Sequence, residues 1–401
     1  MNQPFRVIML SAGRLVCPLS GIDGPGTVVV HHDRIHSVIP SSSSDDAADR
    51  PSGRDDVVQL RFPDAIVLPG LCDLHAHPAC RVSVFGVSPD QHLLPCGVTT
   101  VQSQGDAGAD DVDNFVQHTI QPSRTRVLLS LNLSRIGETS PHGCFADLEH
   151  ADVAHCVAAV RRHREHIRSL SVNVSHHACG NSDPREVQCR GLEAAAETGL
   201  PLLFGMRRPE DWPLADQLNC LRPGDVVTYC FRRAPHCIVQ AGRVLPCIRT
   251  ARERGILFDV GHGMASFSFD VAEAAIADGF APDTISTDLQ QAHLRVPPRH
   301  ALPLVMSKLC AVGMSESAVF AAVTKTPAAI LGLTGETSSL TPGACADLTI
   351  LNFHPPGILR DAHGVQRCGA HWSPRLTIRA GQMILPPDVS QDRPEPQVHP
   401  A

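Results

Sequence analysis

Between residues 66 and 289, short apolar segments alternate eight times with longer amphipathic ones, and no other feature restricts the fold of this chain as strongly. The strand candidates are IVLPGLCDLH, GVTTVQSQ, RVLLSLNLS, SLSVNVS, PLLFGM, DVVTYCF, ILFDVGHG and TISTDL. Helical stretches separate them, among them 152–169 and 244–255, and another follows at 315–333. A strand that returns after each crossover helix runs parallel to its predecessor, so the pattern is that of an α/β protein with a parallel sheet. Eight such units over roughly 250 residues are what a closed (β/α)8 TIM-like barrel requires. An open doubly wound sheet is the alternative, but no G-x-G-x-x-G follows the first strand.

The two ends of the chain read differently. Residues 5–40 hold short strands broken by Gly21, Asp23, Gly24 and Pro25, and near the other end ADLTILNF and SPRLTIRAGQMI are again strand-like. The ends can therefore pair into a small composite β domain. The expected organisation is 1–67 and 338–385 for that domain, 68–337 for the barrel, and a Pro-rich disordered tail at 386–401. The polar run 41–57 reads as a surface loop.

No segment is apolar for long enough to span a bilayer, and a net charge of -7 argues against a nucleic-acid partner. A small-molecule substrate is the default, and a homo-oligomer is left open. The N-terminus shows no convincing signal peptide, and fifteen scattered cysteines lack the dense spacing of a disulfide scaffold. The expected compartment is the cytoplasm.

The strongest motif is P-G-L-C-D-L-H-A-H at 69–77. Alternate residues of a strand face the same side, so His75 and His77 can share one metal ion at the C-terminal end of the first barrel strand, where barrel active sites are built. The second is D-T-I-S-T-D-L at 283–289, which puts Asp288 at the end of the eighth strand, beside the first in a closed barrel. A carboxylate there can bind the same ion and accept a proton from an attacking water; the plainer account is a helix cap.

With these residues the sequence resembles the amidohydrolase superfamily, in particular its dihydroorotase-like branch of deacetylases. The likeness runs in order through PGLCDLHAH, GVTTV, IQPSRTRVLLSLNLS, FDVGHGMASFSF, DTISTDL, MSKLCAVGMS and PGACADLTIL. It implies hydrolysis of an amide or ester bond of a small molecule by metal-activated water. Two-metal members of the family also use a carboxylated lysine on strand four and a histidine on each of strands five and six. Here Ser171, Gly205 and Tyr229 stand at those places, and the only lysines are Lys308 and Lys325. The remaining set of His75, His77 and Asp288 suits one divalent ion, zinc first, with manganese, iron or nickel as alternatives. In this reading Asp288 is also the general base.

Other residues carry two readings each. His262, in V-G-H-G, and Tyr229 can meet substrate, or His262 can be a structural turn residue. Arg207 and Arg208 can clamp a carboxylate or simply be exposed. His176 and His177 can replace a ligand or lie in a solvated loop. Cys72, Cys96 and Cys230 are expected in the core, Cys230 on the face away from the pocket. The loss of three ligand positions also leaves two rival accounts: a catalytically inactive barrel with a ligand-binding or interaction role, and metal-free chemistry through Tyr229 or His262.

Overall fold

The computed structural model describes residues 7–41, 57–139 and 142–386. The run 41–57, apart from its first and last residues, and all of the tail but residue 386 lie outside these. Four strands open the chain: β1 (Val7–Cys17), β2 (Ile22–His31), β3 (Arg34–Pro40) and β4 (Val57–Pro69). Six barrel strands follow: β5 (Leu71–Ala76), β6 (Val98–Gln104), β7 (Arg126–Asn132), β8 (Ile167–Asn173), β9 (Leu202–Gly205) and β10 (Val226–Thr228). After the small hairpin β11 (Val239–Gln240) and β12 (Arg243–Val244) come β13 (Leu257–Phe258), β14 (Leu348–Arg360), β15 (Gln366–Arg379) and β16 (Gln382–Ile384).

The two ends of the chain form one seven-stranded sheet in the order β16-β15-β14-β4-β1-β2-β3. The other large sheet, β13-β10-β9-β8-β7-β6-β5, is parallel throughout. Residues 284–289 close it without forming a regular strand. They pair on one side through Val260 N to Thr284 O and His262 N to Ser286 O, and on the other through Asp288 N to His75 O and His77 N to Leu289 O. The eighth stave is thus present as hydrogen bonds on both flanks. The change of sheet falls at Gly70, inside the first strand read from sequence and beyond the boundary expected at 67. A Cβ there would lie 2.1 Å from Thr99 Oγ1, so the chain passes too close to β6 for any other residue.

Two helices are shorter than their sequence periodicity suggests. The stretch 152–169 is helical over Val153–Arg162 and then turns into β8, and 315–333 breaks into Glu316–Ala322 and Lys325–Ile330. Asp152 and Ser315 cap the respective starts by accepting from His155 N and Ala318 N.

Period-2 alternation decides what each barrel strand shows to either side. Leu128, Leu203 and Val226 lie two residues before Ser130, Gly205 and Thr228 on the same strand face and pack with Cys72, Leu74, Ala328 and Leu331, each large apolar side chain contributing roughly 1.5–3 kcal/mol by burial. That face also carries polar side chains: Gln102, Ser130, Asn132, Ser169 and Thr228 are all buried. Part of this set is hydrogen-bonded, with Ser169 Oγ donating to Gln102 Oε1 and Gln102 Nε2 to Leu74 O. A polar, hydrogen-bonded barrel interior gives the site at its mouth a rigid base. Among the described residues no helix is long and apolar enough to cross a membrane.

Candidate metal centre

His75 ends its strand with both ring nitrogens engaged. Its Nδ1 is 2.8 Å from Thr228 Oγ1, and that hydroxyl gives its single proton to Asp259 Oδ2, also at 2.8 Å. Nδ1 must therefore be the donor. Nδ1 of His77 lies 2.9 Å from Asp106 Oδ1, a carboxylate whose other oxygen accepts from Ser103 Oγ at 2.5 Å. Both imidazoles are thus held in the tautomer that turns Nε2 inward, each backed by a carboxylate.

The two Nε2 atoms meet at Asp288, lying 3.4 Å (His75) and 3.1 Å (His77) from its Oδ1. All three side chains are almost fully buried, and their ligand atoms fall within 4.8 Å of one another. Burial alone would raise the Asp288 carboxyl, but the flanking His75 and His77 outweigh it and hold the group below the usual carboxylate range. Burial works against the charged imidazoles too; Asp288 and Asp259 nevertheless raise His75 to about 9, and Asp106 and Asp288 carry His77 well above its ordinary value. In the absence of a cation the centre is a tight set of buried ion pairs.

Backbone strain sits at the same place. Tyr229 and Asp288 both have positive φ, 67° and 49°, which non-glycine residues adopt at a cost of about 1–3 kcal/mol. That conformation turns their side chains off the strand ends into the mouth. Tyr229 Oη is 3.4 Å from His75 Nε2 with the rings 5.0 Å apart, while Cys230 packs in the apolar core. Burial, and next Asp288, push the phenol well above its ordinary value, so it stays protonated.

The structure separates the remaining sequence candidates from the centre. His262 has no ring nitrogen free for substrate: Nδ1 is 2.9 Å from Gly263 O, Nε2 is 2.8 Å from Lys308 Nζ, and the ring stacks on Phe267. Arg207 donates to Val174 O and pairs with Asp211, and His176 also pairs with Asp211. Ser171 lies in β8, and Gly205 ends β9 under Asn173.

Two residues near the centre were not singled out from sequence. Asp106 follows the second barrel strand at the same strand-end position that drew attention to Asp288. Glu138 comes from the irregular loop after β7, where no motif marks it. Its Oε2 is buried without a hydrogen-bond partner, 3.5 Å from His77 Nδ1, and burial pushes its carboxyl up to about 8. His77, Asp106 and Glu138 form a second group of potential ligands.

Residues 248–381 match the amidohydrolase family. The chain is 32% identical over 335 residues to deacetylase Atu3266 of Agrobacterium fabrum, covering 82% of this chain and 81% of that protein. The chain belongs to the amidohydrolase family. That membership makes it a hydrolase of carbon–nitrogen bonds. A deacetylase of Brucella anthropi is also 32% identical, over 82% of both chains. A solved dihydroorotase superposes with a TM-score of 0.83 at 29% identity, covering 94% of this chain and 98% of its own. An adenine deaminase does so at 0.82 and 26%, covering 94% and 99%. Such neighbours agree with the closed barrel and the accompanying β domain.

Proposed function

We propose that this protein removes an acyl group, acetyl in the simplest case, from a small amide or ester with the help of one divalent ion held by His75, His77 and Asp288. The observation that carries the reading is the convergence of both inward Nε2 atoms on one Asp288 oxygen, with each Nδ1 fixed from behind. Three protein ligands of this kind suit zinc, manganese, iron or nickel and leave positions for water and substrate. Bound there, such an ion supplies a Lewis acid for the scissile carbonyl and lowers the pKa of water. The deacetylase names of the relatives support the acyl chemistry.

The protein's own groups divide the remaining work. Asp288, kept ionised by its neighbours, takes the proton of the attacking water and returns it to the leaving nitrogen or oxygen. Tyr229, kept protonated, donates its O–H to the oxygen on which negative charge grows. Phe85, whose ring lies 5.5 Å from that of His77, limits water on that side. A small-molecule substrate fits the acidic net charge, and fifteen free cysteines support a reducing cytoplasmic setting.

The test is metal content and turnover measured together. Protein supplemented with zinc and then dialysed should hold about one equivalent and hydrolyse members of a panel of N- and O-acetyl compounds. His75→Ala should lose both metal and turnover. Full turnover without metal, or in Asp288→Ala, sinks the assignment.

A further inference from the structure

Lysine is almost absent from this chain: of 34 Lys and Arg residues only Lys308 and Lys325 are lysine. Lys308 stands on the helix Leu302–Ala311 and is only 5% exposed. Among the described residues its ammonium makes no ion pair and a single hydrogen bond, from Nζ to His262 Nε2 at 2.8 Å. Burial lowers the group to about 8, with Asp361 pulling the other way. An ammonium enclosed without a carboxylate partner costs folding free energy. Departures of this kind from good packing concentrate at functional sites.

What the lysine fixes is a tautomer. An ammonium has only donors, so His262 Nε2 is the acceptor and the ring proton lies on Nδ1, which donates to Gly263 O at 2.9 Å. Phe267 stacks on the same ring, and His300, whose Nε2 is 2.9 Å from Thr287 O, lies against it at 4.7 Å between ring centres. Gly261 and Gly263 flank His262 with left-handed φ of 48° and 49°, and the turn they make is pressed against the centre. A Cβ on Gly261 would lie 2.4 Å from Thr228 Oγ1 and 3.2 Å from His75 Nδ1, and one on Gly263 would lie 2.4 Å from Asp288 Oδ2. The α-carbon of Gly263 is thus the wall beside the Asp288 carboxylate, and the carbonyl of the same residue is what His262 holds.

We propose that Lys308 and His262 form a positioning pair for the metal centre: Lys308 selects the His262 tautomer, and the ring holds the 261–263 turn where it aims Asp288 at the two Nε2 atoms. The inference rests on the proposed metal site. Neither residue touches the ion or the substrate; both act through Gly263. Arginine does not serve here, because a fork of five donors facing one lone pair would leave most of them buried and unpaired. A lysine brings a single point of contact, which is all that Nε2 can accept.

The experiment compares the wild type, Lys308→Met, His262→Asn and the double variant, each assayed for zinc affinity by chelator competition and for melting temperature without metal. Methionine keeps the length of the side chain and removes the donor; asparagine keeps an N–H for Gly263 O and has no ring tautomer to fix. Lys308→Met should bind zinc about tenfold more weakly, the lower end for groups that orient a ligand. It should melt at the wild-type temperature or above, since a buried charge without a carboxylate has been removed. In the His262→Asn background the same substitution should cost no further affinity, because Lys308 acts through the ring. Nitrogen NMR of the metal-free protein should find the His262 proton on Nδ1 in the wild type and divided between both nitrogens in Lys308→Met. Undiminished zinc affinity in Lys308→Met, a loss accompanied by a lower melting temperature, a full cost in the His262→Asn background, or an unchanged tautomer overturns the pair while leaving the metal site standing. Zinc bound by none of the four proteins overturns the metal site, and the role of the pair with it.

Discussion

His75 and His77 hold their positions through residues that never touch the ion they are suited to. A neutral imidazole can present either nitrogen, and Asp106 and the Thr228–Asp259 pair remove that choice by taking Nδ1–H. Asp106→Asn keeps all three ligands and the size of the side chain, but weakens the acceptor behind His77. Metal affinity, measured by competition with a chelator, should fall about 10- to 100-fold, whereas loss of Asp288 should leave no measurable site. An unchanged affinity in Asp106→Asn shows that packing alone orients His77. The three candidate ligands were legible because a strand's period of 2 and the chain order of a barrel bring them together. Asp106 was passed over although it follows a barrel strand much as Asp288 does, whereas Glu138 comes from a loop whose path no spacing rule encodes. Arg207, singled out from sequence as a carboxylate clamp, is neutralised by Asp211, a pairing that nothing in the sequence announces.

At the level of strands and helices, hydrophobic period gave seven barrel strands close to their true places, and hydrogen bonding supplied the eighth. What period could not show is where an element stops. The stretch 315–333 keeps a helical pattern through the break between Glu316–Ala322 and Lys325–Ile330, and the loss of the strand-five ligand is a packing matter as well as a substitution. A Cβ on Gly205 would sit 2.8 Å from Asn173 Oδ1 and 3.3 Å from Asn173 Cα, and that same Oδ1 accepts from Ser175 N. Neighbouring strands have closed over the place a histidine would need. Gly205→His alone should therefore cost about 1–3 kcal/mol by overpacking, read by chemical denaturation, and should add no metal affinity. Combining it with Asn173→Gly should recover part of the stability. A stable single variant that binds metal more tightly would show that Asn173 yields freely.

For the molecule as a whole, the buried charges of the centre tie stability to pH in a direction that depends on whether an ion is present. In the metal-free protein His75 titrates near 9 instead of 6.5, so between these values the folded chain holds a proton that the unfolded chain has released. Stability must fall as pH rises through that window. Glu138, raised from 4.5 to about 8 by burial, acts in the same sense below 8: it keeps its proton only when folded. Lys308 opposes them above 8, since burial lowers it from 10.5 to about 8 and only the unfolded chain stays charged between the two. The steepest loss is therefore expected between pH 6.5 and 8, where His75 and Glu138 act together and Lys308 does not yet compensate. A bound ion requires both imidazoles neutral at Nε2, which abolishes the His75 contribution and makes metal uptake stronger as pH rises. Melting temperatures of the metal-free protein should thus drop from pH 6.5 to 8, while those of the zinc-loaded protein hold or climb. Parallel curves for the two forms would mean that the ion binds somewhere other than His75 and His77; a flat metal-free curve would mean that the imidazoles are not the charged partners of Asp288.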